Sequence, residues 1–334
     1  MQQACLFLPT AFAIVARSGS RLSALRLHRS GSSLYSQVGD NLLPFRYPKS
    51  ARTMATQLED LPDIERLSPV CIRILGDNPS KFTLQGTNTY LLGSGSKRIL
   101  LDTGEGKPAW AASIKSVLEQ EQATIETVLI SHWHHDHTGG IPDIQAIAPS
   151  AKVFKHEPEA QQHDIADGQV FKTDGVTLTA SHTPGHTVDH MVFVLEEEDA
   201  MFTADNVLGQ GTAVFEDMGT YLKSLAKMKQ LFRGRAYPGH GPVIADGPSK
   251  IVEYIEHRRQ REEQVVRTLR DGQQSGKKGM EAMEMTKIIY HDVPENLHIP
   301  ACGGVLQILS KLEQEGKVTT DDDGKWHLQD RSTL

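Results

Sequence analysis

Between the apolar run "IETVLI" and the pair Gly139–Gly140, five of the six positions from 132 to 137 are histidine or aspartate, in the stretch "SHWHHDHTGG". A fold that accepts this must gather the imidazoles around something, because buried polar nitrogens without partners are expensive. The chain has 15 histidines in 334 residues, so such crowding is not a product of composition. "IETVLIS" reads as a buried strand, and in an extended continuation side chains alternate, which puts His132, His134 and Asp136 on one side and Trp133 and His135 on the other. His137 falls where the chain must turn, and Gly139–Gly140 permits that turn before a helix at "IPDIQAI". His132 and His134 can converge on one cation, and Asp136 with His137 on a neighbour. Imidazole nitrogens and carboxylate oxygens suit zinc, and tolerate manganese or iron.

Two ligands per ion leave both sites incomplete. "SHTPGHTVDH" offers His182, His186 and His190, "YPGHG" offers His240, and "FTADN" places Asp205 after a short strand, where a carboxylate can bridge two ions. Spacing alone does not choose among the three histidines of the first segment. The single histidines His156, His163, His257, His291, His298 and His327 sit in polar contexts and read as surface residues.

The surrounding chain alternates short apolar segments with amphipathic helices. "TNTYLLGSGSKRILLDTG" reads as two strands about a Gly-Ser turn, and "PAWAASIKSVLEQEQA" as a helix burying Trp110, Ile114 and Leu118. Strands are expected at "VTLTASH", "HMVFVLEEE" and "AMFTAD". "MGTYLKSLAKMKQLF" reads as a helix with Tyr221, Leu225, Met228 and Phe232 on one face. This alternation implies a layered α/β domain over residues 54–246. From 247 to 334 long helices and a terminal hairpin, "KVTTDDDGKWHL", suggest a winged-helix-like module.

Residues 1–53 differ: Arg17, Arg21, Arg26, Arg29, Arg46, Lys49 and Arg52 stand against the single acid Asp40. That composition fits a mitochondrial presequence, or an extension upstream of a natural start at Met54. The rest of the protein is expected to be cytoplasmic, or mitochondrial if the segment is a genuine presequence. The whole chain carries −7 and this segment has a surplus of six positive charges, so residues 54–334 carry −13. An acidic body disfavours broad nucleic-acid binding. No apolar run reaches the length of a membrane span. Cys5, Cys71 and Cys302 lack CxxC spacing, which argues against a disulfide framework or thiolate metal site, and Cys302 reads as a small semi-buried residue.

"HWHHDH", "HTPGHT", "FTADN" and "YPGHG", in this order after "LLDTG", resemble the metallo-β-lactamase-fold hydrolases. The resemblance implies an αββα sandwich with two metal ions at one edge. Carried over, His132, His134 and His186 would hold one ion and Asp136, His137 and His240 the other, with Asp205 bridging. Asp102 of "LLDTG" matches the carboxylate that orients a metal-binding histidine through its other ring nitrogen. One departure is visible: Ala204 stands where the family usually has glycine before the bridging aspartate.

Two cations about 3.5 to 4 Å apart bring the pKa of a shared water towards neutrality, so hydrolysis is the expected reaction. Asp136 can bind through one oxygen and keep the other free, which makes it the expected proton carrier. Over nearly all of the chain beyond Met54, "LQGTNTYLLGSG", "DVPENLHIPA" and the motifs between them are similar to the β-lactamase-like protein 2 branch. Within it, "DTGEGKPAWAASI" and "VFED" look most like fungal lactamase-like thioesterases. That likeness implies release of an aromatic polyketide from an acyl-carrier protein, in secondary metabolism. The animal members of the branch imply an alternative, cleavage of single-stranded RNA, and a glyoxalase-type thioester hydrolase is a lesser one. A ribonuclease needs a cationic track; the one compact basic patch, "HRRQRE", reads first as the solvated face of a helix, and as a docking surface its Arg258, Arg259 and Arg261 would serve either an acidic carrier protein or RNA.

Overall fold

The computed structural model describes residues 58–329, and the expectations for residues 1–53 lie outside them. The first sheet has six strands in sequential order: β1 (Ile64–Ser68), β2 (Cys71–Leu75), β3 (Asn88–Leu92), β4 (Lys97–Leu101), β5 (Thr124–Ile130) and β6 (Lys152–Lys155). The first four pair antiparallel, while β4, β5 and β6 run parallel. Parallel neighbours need a crossover, and α1 (Pro108–Gln120) supplies the first. Its proline lies in the opening turn, where a missing N–H costs nothing. A single helical turn, α2 (His135–Thr138), and α3 (Ile141–Ile147) make the second crossover.

The second sheet holds β7 (Val170–Thr173), β8 (Val176–His182), β9 (Met191–Leu195), β10 (Ala200–Ala204) and, past α4 (Met218–Met228), β11 (Ala236–Pro238), in the order β11-β10-β9-β8-β7. Between the sheets lies a closed apolar layer. Tyr90 meets Phe202 and Tyr237 at 5.0 and 5.7 Å, Phe202 stacks on Tyr237, and Leu101, Leu129, Leu178 and Phe193 fill the rest. Outside the first sheet, Trp110, Ile114 and Leu118 of α1 pack on Ile74, Leu91 and Ile130. Outside the second, Tyr221, Leu225 and Met228 of α4 pack with Met201 and Ile251. The layers are therefore α, β, β, α, as expected. One helix is shorter than its sequence pattern: α4 stops at Met228, and Phe232 reaches the same core from the following turn.

A 28-residue helix, α5 (Gly247–Gln274), is capped by Asp246, whose side chain accepts from the Ser249 amide. Its first half, through Ile251 and Tyr254, belongs to the sandwich. Its second half, through Val265 and Leu269, joins α6 (Ala282–Ile289), α7 (His298–Gln314) and the hairpin β12 (Val318–Thr320) and β13 (Trp326–Leu328) in a separate core. Helices closed by a small hairpin are the winged-helix-like arrangement. His298 is buried in this module, its Nε2 3.1 Å from the carbonyls of Tyr290 and Val293, which corrects its assignment to the surface. Among the described residues no helix is long and apolar enough to cross a membrane.

Candidate metal-binding site

Strand ends carry the titratable cluster to one edge of the sandwich. Asp102 follows β4, His132 and His134 follow β5, His186 lies in the loop after β8, Asp205 follows β10 and His240 follows β11. The alternation expected through Asp136 stops at His134. The backbone turns there into α2, with the His137 and Thr138 amides donating to the His134 carbonyl. Asp136 and His137 thus reach the site from a helical turn, which packs closely on the loop after β4: a Cβ on Gly106 would come within 2.8 Å of the Gly139 carbonyl oxygen. Trp133 and His135 are exposed, as the sequence led one to expect.

Two groups of potential ligand atoms result. His132 Nε2 and His186 Nε2 lie 3.0 and 3.1 Å from His134 Nδ1. These three and Asp205 offer ligand atoms within 4.8 Å of one another, as do Asp136, His137 and His240. Asp205 Oδ2 lies 3.6 Å from His186 Nε2 and 3.3 Å from His240 Nε2, so it faces both groups. Asp136 Oδ2 lies 3.3 Å from His240 Nε2 and 3.4 Å from His137 Nε2.

The far ring nitrogens are tied down. His137 Nδ1 donates to Asp102 Oδ2 at 2.8 Å, and Asp102 also accepts from the Ser131 amide and hydroxyl. His186 Nδ1 donates to the Val214 carbonyl at 2.7 Å, and His132 Nδ1 meets the Ser131 hydroxyl at 2.9 Å. The near nitrogens are therefore aimed inward. His137 Nε2 and Asp205 Oδ1 are buried with no hydrogen-bond partner. Buried polar atoms left this way are costly, and a divalent cation is the partner that satisfies an imidazole lone pair and a carboxylate oxygen together.

The charges agree with that fit. Burial opposes a proton on His137, but the carboxylates of Asp136, Asp102 and Asp205 outweigh it and raise its pKa. His240 is likewise pushed up, against burial, to about 9 by Asp205 and Asp136. Burial would raise Asp205, yet His240 and His137 hold it well below the carboxylate range. On the other side, burial and neighbouring His186 lower His134 to about 4. So three carboxylates call for positive charge at one end, and lone pairs converge at the other.

Of the three histidines that spacing left open, His186 alone joins a group. His182 turns away, its Nε2 at 2.9 Å from the Val188 carbonyl. His190 is fully buried behind the site, with Nδ1 accepting from Asn206 Nδ2 at 3.0 Å and ring centroids 5.3 Å from His132. Asn206 also donates to the Thr183 carbonyl, a bracing role the sequence reading missed although the residue stands in "FTADN".

Ala204 has φ of +42°, a left-handed conformation in which a Cβ is strained. This is the physical reason a glycine suits that position. Ala204→Gly is expected to raise stability by up to about 1 kcal/mol, part of the relief being offset by glycine's greater backbone entropy. Thermal unfolding checks it: Tm should rise by about 2 to 4 °C, and a fall would show that the conformation is unstrained.

The superfamily profile described as "Metallo-beta-lactamase superfamily" matches residues 82–240, and "Beta-lactamase associated winged helix domain" matches 282–326. A protein of Aspergillus chevalieri named "Atrochrysone carboxyl ACP thioesterase" is 45% identical over 83% of this chain and 92% of its own. The chain belongs to the metallo-beta-lactamase superfamily. A second member, the "Beta-lactamase-like protein 2 homolog" of Drosophila melanogaster, is 44% identical over 77% of this chain and 92% of its own. Among solved members of the superfamily, a protein from Thermus thermophilus shares the fold at a TM-score of 0.63 and 23% identity, covering 79% of this chain and all of that one.

The three arginines of "HRRQRE" part company in the folded chain. Arg258 turns inward, its guanidinium over Phe215 at 4.8 Å and donating to the Ala213 carbonyl. Arg259 lies between Glu256 and Glu263, and Arg261 covers the Tyr290 ring. Helical spacing brings acids to Arg259 alone, while the other two guanidiniums are turned to a carbonyl and to aromatic rings, so the three do not form a continuous cationic track.

Proposed function

We propose that the chain is a metal-dependent thioesterase that releases an aromatic polyketide from the acyl-carrier protein of a polyketide synthase. The observation that carries this is the 45% identity, over 83% of this chain and 92% of the other, to the Aspergillus chevalieri protein named as an ACP thioesterase. The His/Asp cluster of the present chain opens on a cavity of about 710 Å³. Phe82, 71% exposed, and Val214, 62% exposed, stand at its walls with Leu84 and Leu208. Apolar walls over a polar floor suit a planar acyl group whose thioester reaches the cluster. Lys81 at the rim offers positive charge to an acidic carrier.

His132, His134 and His186 would hold one ion, Asp136, His137 and His240 the other, and Asp205 both; zinc suits this donor set. Such ions would polarise the thioester carbonyl and lower the pKa of the attacking water. Asp136 does the proton work. Its Oδ2 accepts from the Thr87 hydroxyl at 3.3 Å and faces His240 Nε2 and His137 Nε2 at 3.3 and 3.4 Å, while Oδ1 has no hydrogen-bond partner among the described residues. Oδ1 takes the proton as water oxygen bonds to the acyl carbon, and gives it to the thiolate when the carbon–sulfur bond breaks. Asp102 keeps the His137 ring in register throughout.

The test offers the metal-loaded protein an aromatic polyketide on its carrier and, in parallel, single-stranded RNA. Free acid should appear with the thioester. A chelator should abolish turnover, and added Zn²⁺ or Mn²⁺ should restore it. Efficient RNA cleavage with the thioester intact would sink the proposal.

A further inference from the structure

The loop between β10 and α4 begins with Asp205 and forms one wall of the cavity, and its later part meets the site at the Val214 carbonyl that orients His186. Its ends are fastened: the Gly209 amide donates to the His240 carbonyl, and the Glu216 amide to the Gly185 carbonyl. Its middle is not held by regular structure. Among the described residues, the hydrogen bonds reaching the backbone of residues 210–215 are three: His186 to Val214, Tyr254 to Gly211, and Arg258 to Ala213. Both Tyr254 and Arg258 stand on α5, the helix that continues into the C-terminal module.

Arg258 is placed to do more than fill space. Its guanidinium donates from Nη2 to the Ala213 carbonyl at 2.6 Å, one peptide from the carbonyl His186 uses. The same guanidinium lies 4.8 Å from the Phe215 ring, which stacks on Tyr221 at 5.2 Å and 15°. A cation over an aromatic face and a charge-assisted hydrogen bond therefore grip the chain on both sides of Val214. Arg258 Nε is buried without a partner. Tolerating that cost is the mark of a group whose remaining contacts matter.

We propose that Arg258 is a positioning residue: by fixing residues 213–215 from α5, it sets the Val214 carbonyl that holds His186 as its Nδ1–H tautomer, with Nε2 free to bind metal. The inference rests on the metal reading of the site, though not on the identity of the substrate. Which nitrogen of an imidazole binds a metal is decided by the hydrogen bond the other makes. Partners of this outer kind are worth about 10 to 100-fold in metal affinity.

Arg258→Met keeps the length and the apolar stem but removes the donors, and Arg258→Lys keeps one donor and the charge. Two readouts are taken on the full chain. Histidine ¹⁵N NMR of the metal-free protein reports the His186 tautomer, and competition with a chelating dye reports Zn²⁺ affinity at each of the two sites. The expected result is a single Nδ1–H tautomer in the natural protein and a mixture in Arg258→Met. One of the two affinities should fall about 10 to 100-fold, with partial recovery in Arg258→Lys. Arg259→Ala, one position on and at the surface, should change neither. A lowered Tm with the His186 tautomer and both affinities unchanged would mean a merely structural tether and overturn the proposal. If the natural protein itself takes up no Zn²⁺, the metal reading fails, while the tautomer result still decides the role of Arg258 in holding His186.

Discussion

Asp136→Asn is expected to lower kcat by about 10² to 10⁴-fold, the usual worth of a positioned general base and acid, while KM for the carrier-bound thioester changes little. Asparagine fills the same volume and can still present an oxygen to His240 and His137, which lie 3.3 and 3.4 Å from Oδ2. It cannot take a proton from water. His132, His134, His186 and Asp205 are untouched, so at least one metal should remain bound. An interaction made only in the transition state lowers kcat and kcat/KM together, and steady-state kinetics with metal analysis on the same sample checks this. Unaltered turnover would show that the proton is carried elsewhere.

How much of this was legible in advance depends on the kind of force involved. The His132–His137 stretch announced itself because its chemistry is local: four potential ligands fall within six residues, too close in sequence to be carried far apart. The partners from distant loops were visible as candidates only, and spacing could not separate His182, His186 and His190. The structure separates them by where each ring's second nitrogen finds a carbonyl or an amide: Val188, Val214 and Asn206. Those contacts join positions 6 to 28 residues apart, and no periodicity encodes them. The sandwich was readable because strands covered on both faces, such as β2, β3 and β10, are short apolar runs bounded by turn residues and alternate with amphipathic helices. The end of alternation at His134 was not, since the turn into α2 is held by contacts distant in sequence, such as the Thr103 amide and hydroxyl on the His137 carbonyl, 34 residues away. Arg258 misled for a similar reason. A run of charges on a long helix reads as solvated, yet the loop that buries this one is held to it only in the folded chain.

Trp110→Ala should be the most damaging change outside the cluster, and it should damage the cluster too. Trp110 is fully buried, its Nε1 donating to Thr89 Oγ1 at 2.9 Å, and its ring lies beneath Gly140. A Cβ at Gly140 would come within 2.4 Å of that ring and 2.1 Å of the Thr103 carbonyl. The indole is thus the floor on which the turn after the histidines rests. Thr103 links floor to site, since its amide and hydroxyl both donate to the His137 carbonyl, at 2.9 and 2.8 Å. Removing the ring leaves a cavity and takes away the hydrogen bond that Thr89 Oγ1 accepts, although that hydroxyl still donates to the Ile74 carbonyl, costing about 3 to 5 kcal/mol, a fall in Tm on the order of 10 °C. Since Gly140 and Thr103 would then relax towards the void, metal affinity should drop as well. Trp110→Phe refills most of the volume without the N–H donor, and it should recover most of the stability. Metal affinity tracking Tm across the three proteins would tie the centre to this floor, whereas a large loss of Tm with natural affinity would show that the histidine turn stands without it.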